Sequence, residues 1–316
     1  MRIMITGGAG FIGSNLVRGL NLLGEKDIVV VDDLTDGHKF ANLVDCDVLD
    51  YEDYETFRTR LRDGLNITPR CIFHQGACAV TTEWDGRYMM DVNYAYSKEL
   101  LDYCVVERVP LIYASSAAVY GAGQRFIETP DAERPLNVYG YSKLLFDQAV
   151  RRRLAEAQSQ IVGLRYFNVY GPGEAHKGSM ASVAFHLSRQ VAAEGEARLF
   201  QGSAGYADGE QRRDFIYVDD VVAINLWFYA HSDRSGIYNA GTGQAATFNA
   251  LANAVIAWHG RGEIRYIPFP AGLESAYQSF TEADISALRN AGYAAEFMDV
   301  SAGVKAYLDR LAAEPR

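Results

Sequence analysis

Cysteine is scarce in this chain. Four occur in 316 residues (Cys46, Cys71, Cys78 and Cys104), and no two stand in a C-x-x-C. That spacing excludes a cysteine metal cluster and leaves reduced thiols of a reducing compartment as the expectation. No stretch approaches the roughly 20 uninterrupted apolar residues of a membrane span. The most apolar one, 221–230, is broken by Asn225 and reads as a buried helix. Positive charge is in deficit: 30 Lys and Arg face 40 Asp and Glu, a net charge of −10. Such a balance argues against a nucleic-acid or anionic-membrane surface, so a phosphate-bearing ligand must be held by local groups. Repeats, low-complexity tracts and Pro-rich linkers are also missing. The N-terminal apolar run is cut short by a glycine turn and serves better as a first strand than as a signal peptide. A soluble, cytoplasmic protein is expected.

The remaining composition, 49% hydrophobic and 22% charged, suits a large globular core. The opening Thr6-Gly7-Gly8-Ala9-Gly10-Phe11-Ile12-Gly13 follows the apolar Ile3, Met4 and Ile5 and precedes an amphipathic run through Leu16, Val17 and Leu20. Strand, tight glycine turn and helix bring backbone amides to a helix N-terminus, where a side chain would keep a phosphate out. Gly8, Gly10 and Gly13 fit a G-x-G-x-x-G spacing, and Gly7, Gly10 and Gly13 fit G-x-x-G-x-x-G. Asp32 closes the next apolar strand, about twenty residues on, where an acid meets a ribose hydroxyl. A dinucleotide site is expected.

Apolar runs alternate with helical patterns: strands at 2–6, 27–31, 70–74, 109–114 and 160–166, helices at 11–23, 51–63, 91–107 and 139–154. This rhythm predicts an α/β fold, a Rossmann-type doubly wound parallel sheet. After 170–173 it changes, with helices at 179–193, 220–230 (Asp219 as N-cap), 247–258 and 299–313, and strands near 214–218 and 237–239. We therefore expect 1–171 and 211–240 to form the dinucleotide-binding domain. The segments 172–210 and 241–316 would form a smaller α/β substrate-binding domain.

Tyr139 and Lys143 lie four apart on a helix and share a face. A free tyrosine, with a pKa near ~10, is a poor base at neutral pH. A neighbouring ammonium stabilises its phenolate, and Ser116, ending a central strand, can orient a substrate alcohol. His176 and His186 lack metal spacing, so no metal site is expected.

Taken together these residues resemble the extended short-chain dehydrogenase/reductase family, whose members mostly remodel nucleotide sugars. The resemblance covers nearly the whole chain: the glycine turn, Asp47-Val48 after a third strand, 74–77, Asn93 opening a helix, Ser116/Tyr139/Lys143, 165–172, 213–220 and 238–241. The longer segments 36–40, 81–86, 176–182, 200–203 and 277–281 narrow it to nucleotide-sugar epimerases acting on an ADP-linked heptose of the lipopolysaccharide inner core. Such epimerases oxidise the C6'' alcohol to a transient ketone and return the hydride to its other face. The resemblance implies Tyr139 as one proton-handling group and Lys177 as the other, with Ser116 and Lys143 in support. It places the cofactor on Gly7, Gly10, Phe11, Ile12 and Gly13, on Asp32, Asp33 and Lys39, and on Asp47 and Val48. Further cofactor contacts fall on Gln75, Gly76, Ala77, Cys78 and Ala79, then on Asn93, Lys143, Val169 and Lys177. Substrate contacts carry over to Asn168, Ser179 and His186, to Phe200, Gln201, Gly202 and Ser203, to Arg213 as diphosphate clamp, and to Tyr277 as a closing lid.

Asp32 and Asp33 favour NAD, whereas the resemblance implies NADP with Lys39 neutralising the 2′-phosphate. NADP is the expectation and NAD the alternative. A UDP-hexose 4-epimerase shares the Ser/Tyr/Lys unit, but Lys177 and 200–203 tell against it. A 4,6-dehydratase would want an acidic pair where this chain has Ser116-Ala117-Ala118, and a non-catalytic dinucleotide sensor would have dispensed with Tyr139 or Lys143. The resemblance also implies a homo-oligomer, a homopentamer at its most specific. The apolar Tyr94, Tyr96, Tyr103, Leu145, Phe146 and Ala149 are candidates for its interface.

Overall fold

The computed structural model describes residues 2–269 and 278–313. Its first half runs β1 (Ile3–Thr6), α1 (Phe11–Leu22), β2 (Ile28–Asp32), β3 (Asp50–Asp53), α2 (Tyr54–Asp63) and β4 (Cys71–His74). α3 (Gly86–Met89) passes through a π-helical stretch, Met90–Ala95, into α4 (Tyr96–Glu107), followed by β5 (Leu111–Ser116), α5 (Val138–Arg153) and β6 (Ile161–Tyr166). The second half is more broken: β7 (Asn168–Tyr170), α6 (Val183–Glu194), β8 (Glu196–Phe200), β9 (Arg212–Arg213), β10 (Phe215–Tyr217) and α7 (Val218–Ala230). It ends with β11 (Gly236–Ala240), β12 (Ala246–Thr247), α8 (Phe248–His259), β13 (Glu263–Ile267), α9 (Ser286–Ala291) and α10 (Val300–Ala313).

Seven strands form one sheet in the order β11-β6-β5-β4-β1-β2-β3, every neighbouring pair parallel. β1, β4 and β6 are buried at every position, because helices cover both faces. Alternation sorts the side chains. Ile3 and Ile5 join Leu16, Leu20 and Phe228 under α1 and α7, while Met4 joins Phe57, Leu100 and Val150 under α2, α4 and α5. A second core of Leu187, Val191, Leu199, Leu251, Val304 and Tyr307 lies among α6, α8, α10 and β8. The strand order reverses between β1 and β4, and open α/β sheets hold their ligands at the carboxyl end of such a point.

Several sequence expectations need correction. Residues 50–53 form an exposed edge strand, not the start of a helix. Their polar side chains carry no apolar period, and Asp53 starts α2 by accepting from the Glu55 and Thr56 amides. Asp47 and Val48 accordingly precede the third strand. Helix α6 begins at Val183, after Ser182 accepts the Phe185 amide. Tyr217 is the N-cap of α7, and Asp219 lies inside its first turn, where its charge suits the helix dipole. Asn93 sits within the π-helical stretch instead of opening a helix. Tyr96, Phe146 and Ala149 are core residues and not surface. The short strands β7, β8 and β13 and the helix α9 were not anticipated.

Behind β5 and β6 lies a buried ion network. The fully buried Arg165 donates from Nε to Asp147 Oδ2 at 2.9 Å, pairs with Glu133, and stacks on the Tyr120 ring. Asp147 also accepts from the hydroxyls of Tyr113 and Ser115, each at 2.9 Å. The network ties the end of β5 to the middle of α5, the two elements that carry Ser116 and Lys143. Asp147→Ala strands the guanidinium, and removing one partner of a buried pair costs about 3–5 kcal/mol. Urea unfolding of this variant should show that loss. A change below ~1 kcal/mol would mean that Glu133 alone satisfies Arg165.

Candidate active site

A cleft of about 1080 Å³ opens at the carboxyl ends of the central strands. Its floor is the glycine turn. Gly7 adopts φ +67, and a Cβ there would lie 2.5 Å from the Gly76 amide nitrogen; a Cβ on Gly13 would lie 2.1 Å from the Gly7 carbonyl oxygen. Of the two spacings, the one through Gly7, Gly10 and Gly13 thus contains the position with positive φ. Gly10 is the N-cap of helix α1 and offers no side-chain cap, so the helix's first amides stay available to an anion. These features fit a dinucleotide diphosphate. Asp32 ends β2 beside the turn, accepting from the Ala9 amide at 2.7 Å, with the Lys39 ammonium 2.8 Å from its Oδ1.

On the other side of the cleft, β5 ends at Ser116, whose hydroxyl accepts from the Ala118 amide at 3.1 Å. Asn137 caps α5, accepting the Gly140 amide at 2.8 Å and donating to the Thr81 carbonyl at 3.1 Å. Tyr139 follows in the first turn, half-buried, with the Ser116 side chain beside its phenol. Burial pushes the Tyr139 phenol above its usual range, while the Ser116 side chain works the other way. Lys143 lies one turn on, buried, donating to the Ala114 carbonyl at 2.9 Å. Burial pulls the Lys143 pKa down to about 8, against the pull of Asp147. Burial dominates both groups, and the ammonium is directed at a backbone carbonyl.

The opposite wall carries Lys177, in a 3-10 turn (Ala175–Met180). Its ammonium lies 5.2 Å from the centroid of the Phe11 ring, beside the glycine turn. Burial lowers the Lys177 pKa and Glu174 opposes it. His74 is a buried structural histidine, 2.6 Å from the Thr6 hydroxyl and 2.8 Å from that of Ser97, and burial pushes its pKa down to about 3.

Most of the expected cofactor residues line this cleft: Gly7 and Gly10–Gly13, Asp32, Asp33 and Lys39, 75–79, Lys143, Val169 and Lys177. Three do not. Asp47 bonds Asn21 and Lys26 at the amino end of the sheet, and Val48, partly buried, packs against the core that holds α1. Both precede β3 and so lie at the wrong end of the strands. Asn93 is buried and grips the Cys78 backbone, accepting its amide at 2.8 Å and donating to its carbonyl at 3.0 Å. It shapes the lining without joining it.

Of the substrate candidates, Asn168 lines the cleft. Ser179 is exposed on the Lys177 turn and His186 lies half-buried on α6, and neither is part of the lining. Phe200 stacks on Phe269 at 4.6 Å, and Gln211 donates to the Gln201 carbonyl and the Ser203 hydroxyl. That joins 200–203 to the strand bearing Arg213. Arg213 is buried, its guanidinium 5.9 Å from the centroid of the Phe248 ring. This patch adjoins the cleft without lining it. Tyr277 lies outside the described residues. Sequence reasoning missed Asp53, Tyr54 and Glu55, Thr81 and Tyr88, which do line it. The first three follow from the rule that every strand end of such a sheet faces the ligand, once β3 is recognised. Among the described residues no group of three His, Cys, Asp or Glu side chains gathers to hold a metal, and no helix is long and apolar enough to cross a membrane.

Comparison with known proteins agrees with this geometry. Residues 3–241 match the NAD dependent epimerase/dehydratase family. The chain is 58% identical over 314 residues to an ADP-L-glycero-D-manno-heptose-6-epimerase of Alkalilimnicola ehrlichii, covering 99% of this chain and 98% of that one. Its structure resembles the crystal structure of the Helicobacter pylori ADP-L-glycero-D-manno-heptose-6-epimerase, with TM-score 0.85, 32% identity and coverage of 99% and 96%. It also resembles the Thermus thermophilus UDP-glucose 4-epimerase complexed with NAD, with TM-score 0.81, 27% identity and 99% coverage of both chains.

Proposed function

The chain belongs to the NAD dependent epimerase/dehydratase family, and from that premise we propose that it inverts C6'' of ADP-D-glycero-D-manno-heptose. The product is ADP-L-glycero-D-manno-heptose, for the lipopolysaccharide inner core, made in the cytoplasm. The observation that carries this reading is one cleft with proton-handling groups on both walls, Tyr139 with Ser116 on one and Lys177 on the other, in a chain 58% identical to an epimerase of that name.

The cofactor would lie with its diphosphate over Gly10–Gly13 and its adenosine ribose toward Asp32, Asp33 and Lys39. It would supply the nicotinamide that takes up a hydride from C6'' and gives it back. The chain's own residues handle the proton and the geometry. Ser116 orients the alcohol and Tyr139, as its phenolate, takes the alcohol proton as the ketone forms, while the Lys143 ammonium holds negative charge nearby. Inversion requires the ketone to present its other face; Lys177 on the far wall gives its own proton to the oxygen as the alcohol re-forms, and proton exchange with solvent restores Tyr139 and Lys177 for the next turnover. We take NADP as the cofactor, because the Lys39 ammonium already neutralises Asp32, the acid that would otherwise repel a 2′-phosphate. The protein works as a homo-oligomer, a homopentamer in the proposal. Exposed apolar side chains such as Trp84, Leu136 and Tyr141 offer the surface to be covered.

Purified protein incubated separately with ADP-D-glycero-D-manno-heptose and with UDP-galactose decides the matter. Epimerisation of the heptose alone is expected, with no consumption of added reduced cofactor, because the hydride leaves and returns. Turnover of UDP-galactose alone would move the protein to the 4-epimerases. Stoichiometric use of reduced cofactor would make it a reductase.

A further inference from the structure

Between Gly171 and Ser182 the chain leaves the sheet and returns at α6, and Lys177 rides in the middle of this excursion. The segment has little regular structure beyond one 3-10 turn, and that turn is kinked at Gly178 (φ +54, ψ −124). Gly178 thus takes a conformation that other residues rarely adopt. A loop of this kind is a poor platform for a catalytic side chain unless something else fixes it.

What fixes it is one carboxylate. Glu174 is fully buried. Its Oε1 accepts from the Gly171 amide at 3.3 Å and from the Ser182 hydroxyl at 2.7 Å, and its Oε2 accepts from the Ser182 amide at 2.5 Å. The two ends of the excursion are thereby closed on each other. The Glu174 carbonyl also receives the Lys177 amide at 3.0 Å. From the dinucleotide side, Asn15 of α1 donates to the Pro172 carbonyl at 2.8 Å. Asn42 donates to the Gly173 carbonyl at 3.1 Å and lies 3.2 Å from His176 Nδ1. All three donors to the Glu174 carboxylate are neutral, and a buried charge held by neutral donors is costly.

We propose that Glu174 is the positioning residue for Lys177. Its carboxylate closes the excursion in the shape that seats the ammonium over Phe11 and into the cleft. Glu174 does not line the cleft and acts only through Lys177. The role deepens the functional reading above and rests on it for its catalytic consequence.

The test uses the full-length protein and the variants Glu174→Gln and Ser182→Ala. The first removes the charge at nearly constant volume. The second removes one of the three bonds should the first fail to fold. Two readouts are taken: kcat and KM with ADP-heptose, and the pH-dependent acylation of the Lys177 amine followed by mass spectrometry of its peptide. The second is independent of the reaction. Lys177 is surrounded by Glu174 and His176 on its own loop, with Lys39 and Asp32 beyond His176; Glu174→Gln alters only the Glu174 contribution, whereas Ser182→Ala also removes the α6 cap on the Phe185 amide, so the melting temperature of that variant is read alongside.

In Glu174→Gln, kcat should fall roughly 10- to 100-fold, the scale of a catalytic group displaced by about an ångström, with KM within about threefold. Lys177 should acylate severalfold faster at a given pH, because it loses both its fixed seat and its neighbouring charge. Ser182→Ala should move both readouts in the same direction by less. Unchanged acylation in a folded Glu174→Gln overturns the proposal. Faster acylation with kcat intact supports Glu174 as the holder of Lys177 and removes Lys177 from the chemistry, so the two failures are told apart.

Discussion

Replacing Tyr139 by phenylalanine is expected to slow epimerisation by at least about 10²-fold, the ordinary contribution of a positioned acid–base group. The ring stays in its half-buried seat at the start of α5, so packing is preserved. What is lost is the hydroxyl beside Ser116. Stability should hold, because the phenol is raised above its usual range by burial and so is neutral in its folded seat, and the variant keeps the ring that packs there. Dinucleotide content should also hold, since the residues that would hold the diphosphate belong to the glycine turn on the floor of the cleft, away from Tyr139. Product formation by anion-exchange chromatography and cofactor absorbance of the purified variant measure the two effects separately. Near-normal turnover in the variant would remove Tyr139 from the chemistry.

The second large effect is expected at Lys177. Lys177→Met keeps the length of the side chain and removes its charge and protons. Epimerisation should fall by about 10²-fold or more, with the KM for ADP-heptose within a few-fold. The reason is geometric. Inversion at one carbon needs proton transfer from two directions, and the α5 helix serves only one of them. A competing role follows from the same placement: over the Phe11 ring, beside the first turn of α1, an ammonium can anchor a diphosphate. The two roles separate in the kinetics, because an anchor lost raises KM and leaves turnover at saturation intact. That outcome would defeat the two-base mechanism. The double variant with Tyr139→Phe should also lose residual oxidation of the heptose.

Much of the protein was legible before folding. Strands buried on both faces must be apolar at consecutive positions, so β1, β2, β4, β5 and β6 stand out as runs, and the helices between them as periodic segments. A tight turn beneath a phosphate tolerates no side chain, so its glycines identify the floor of the cleft. Spacing of four on a helix places Tyr139 and Lys143 on one face whatever surrounds them. These features are local, and local sequence determines them.

What surrounds those features was decided only by the tertiary structure. Edge strand β3 carries no apolar period, so nothing in 47–53 shows where the strand begins, and Asp47 and Val48 fell at the wrong end of the sheet. Asn93 has the same side chain whether it meets a cofactor or the Cys78 backbone; the π-helical stretch chose the latter. Tyr96, Phe146 and Ala149 are apolar in sequence, and only packing distinguishes core from interface. Electrostatics is the least local property of all. The sequence places a lysine near a tyrosine, but burial acts on both and pulls the Lys143 pKa down to about 8, because desolvation depends on every atom that excludes water. The hold of Glu174 on Lys177 likewise exists only once Gly171 and Ser182, eleven residues apart in the chain, are brought onto one carboxylate.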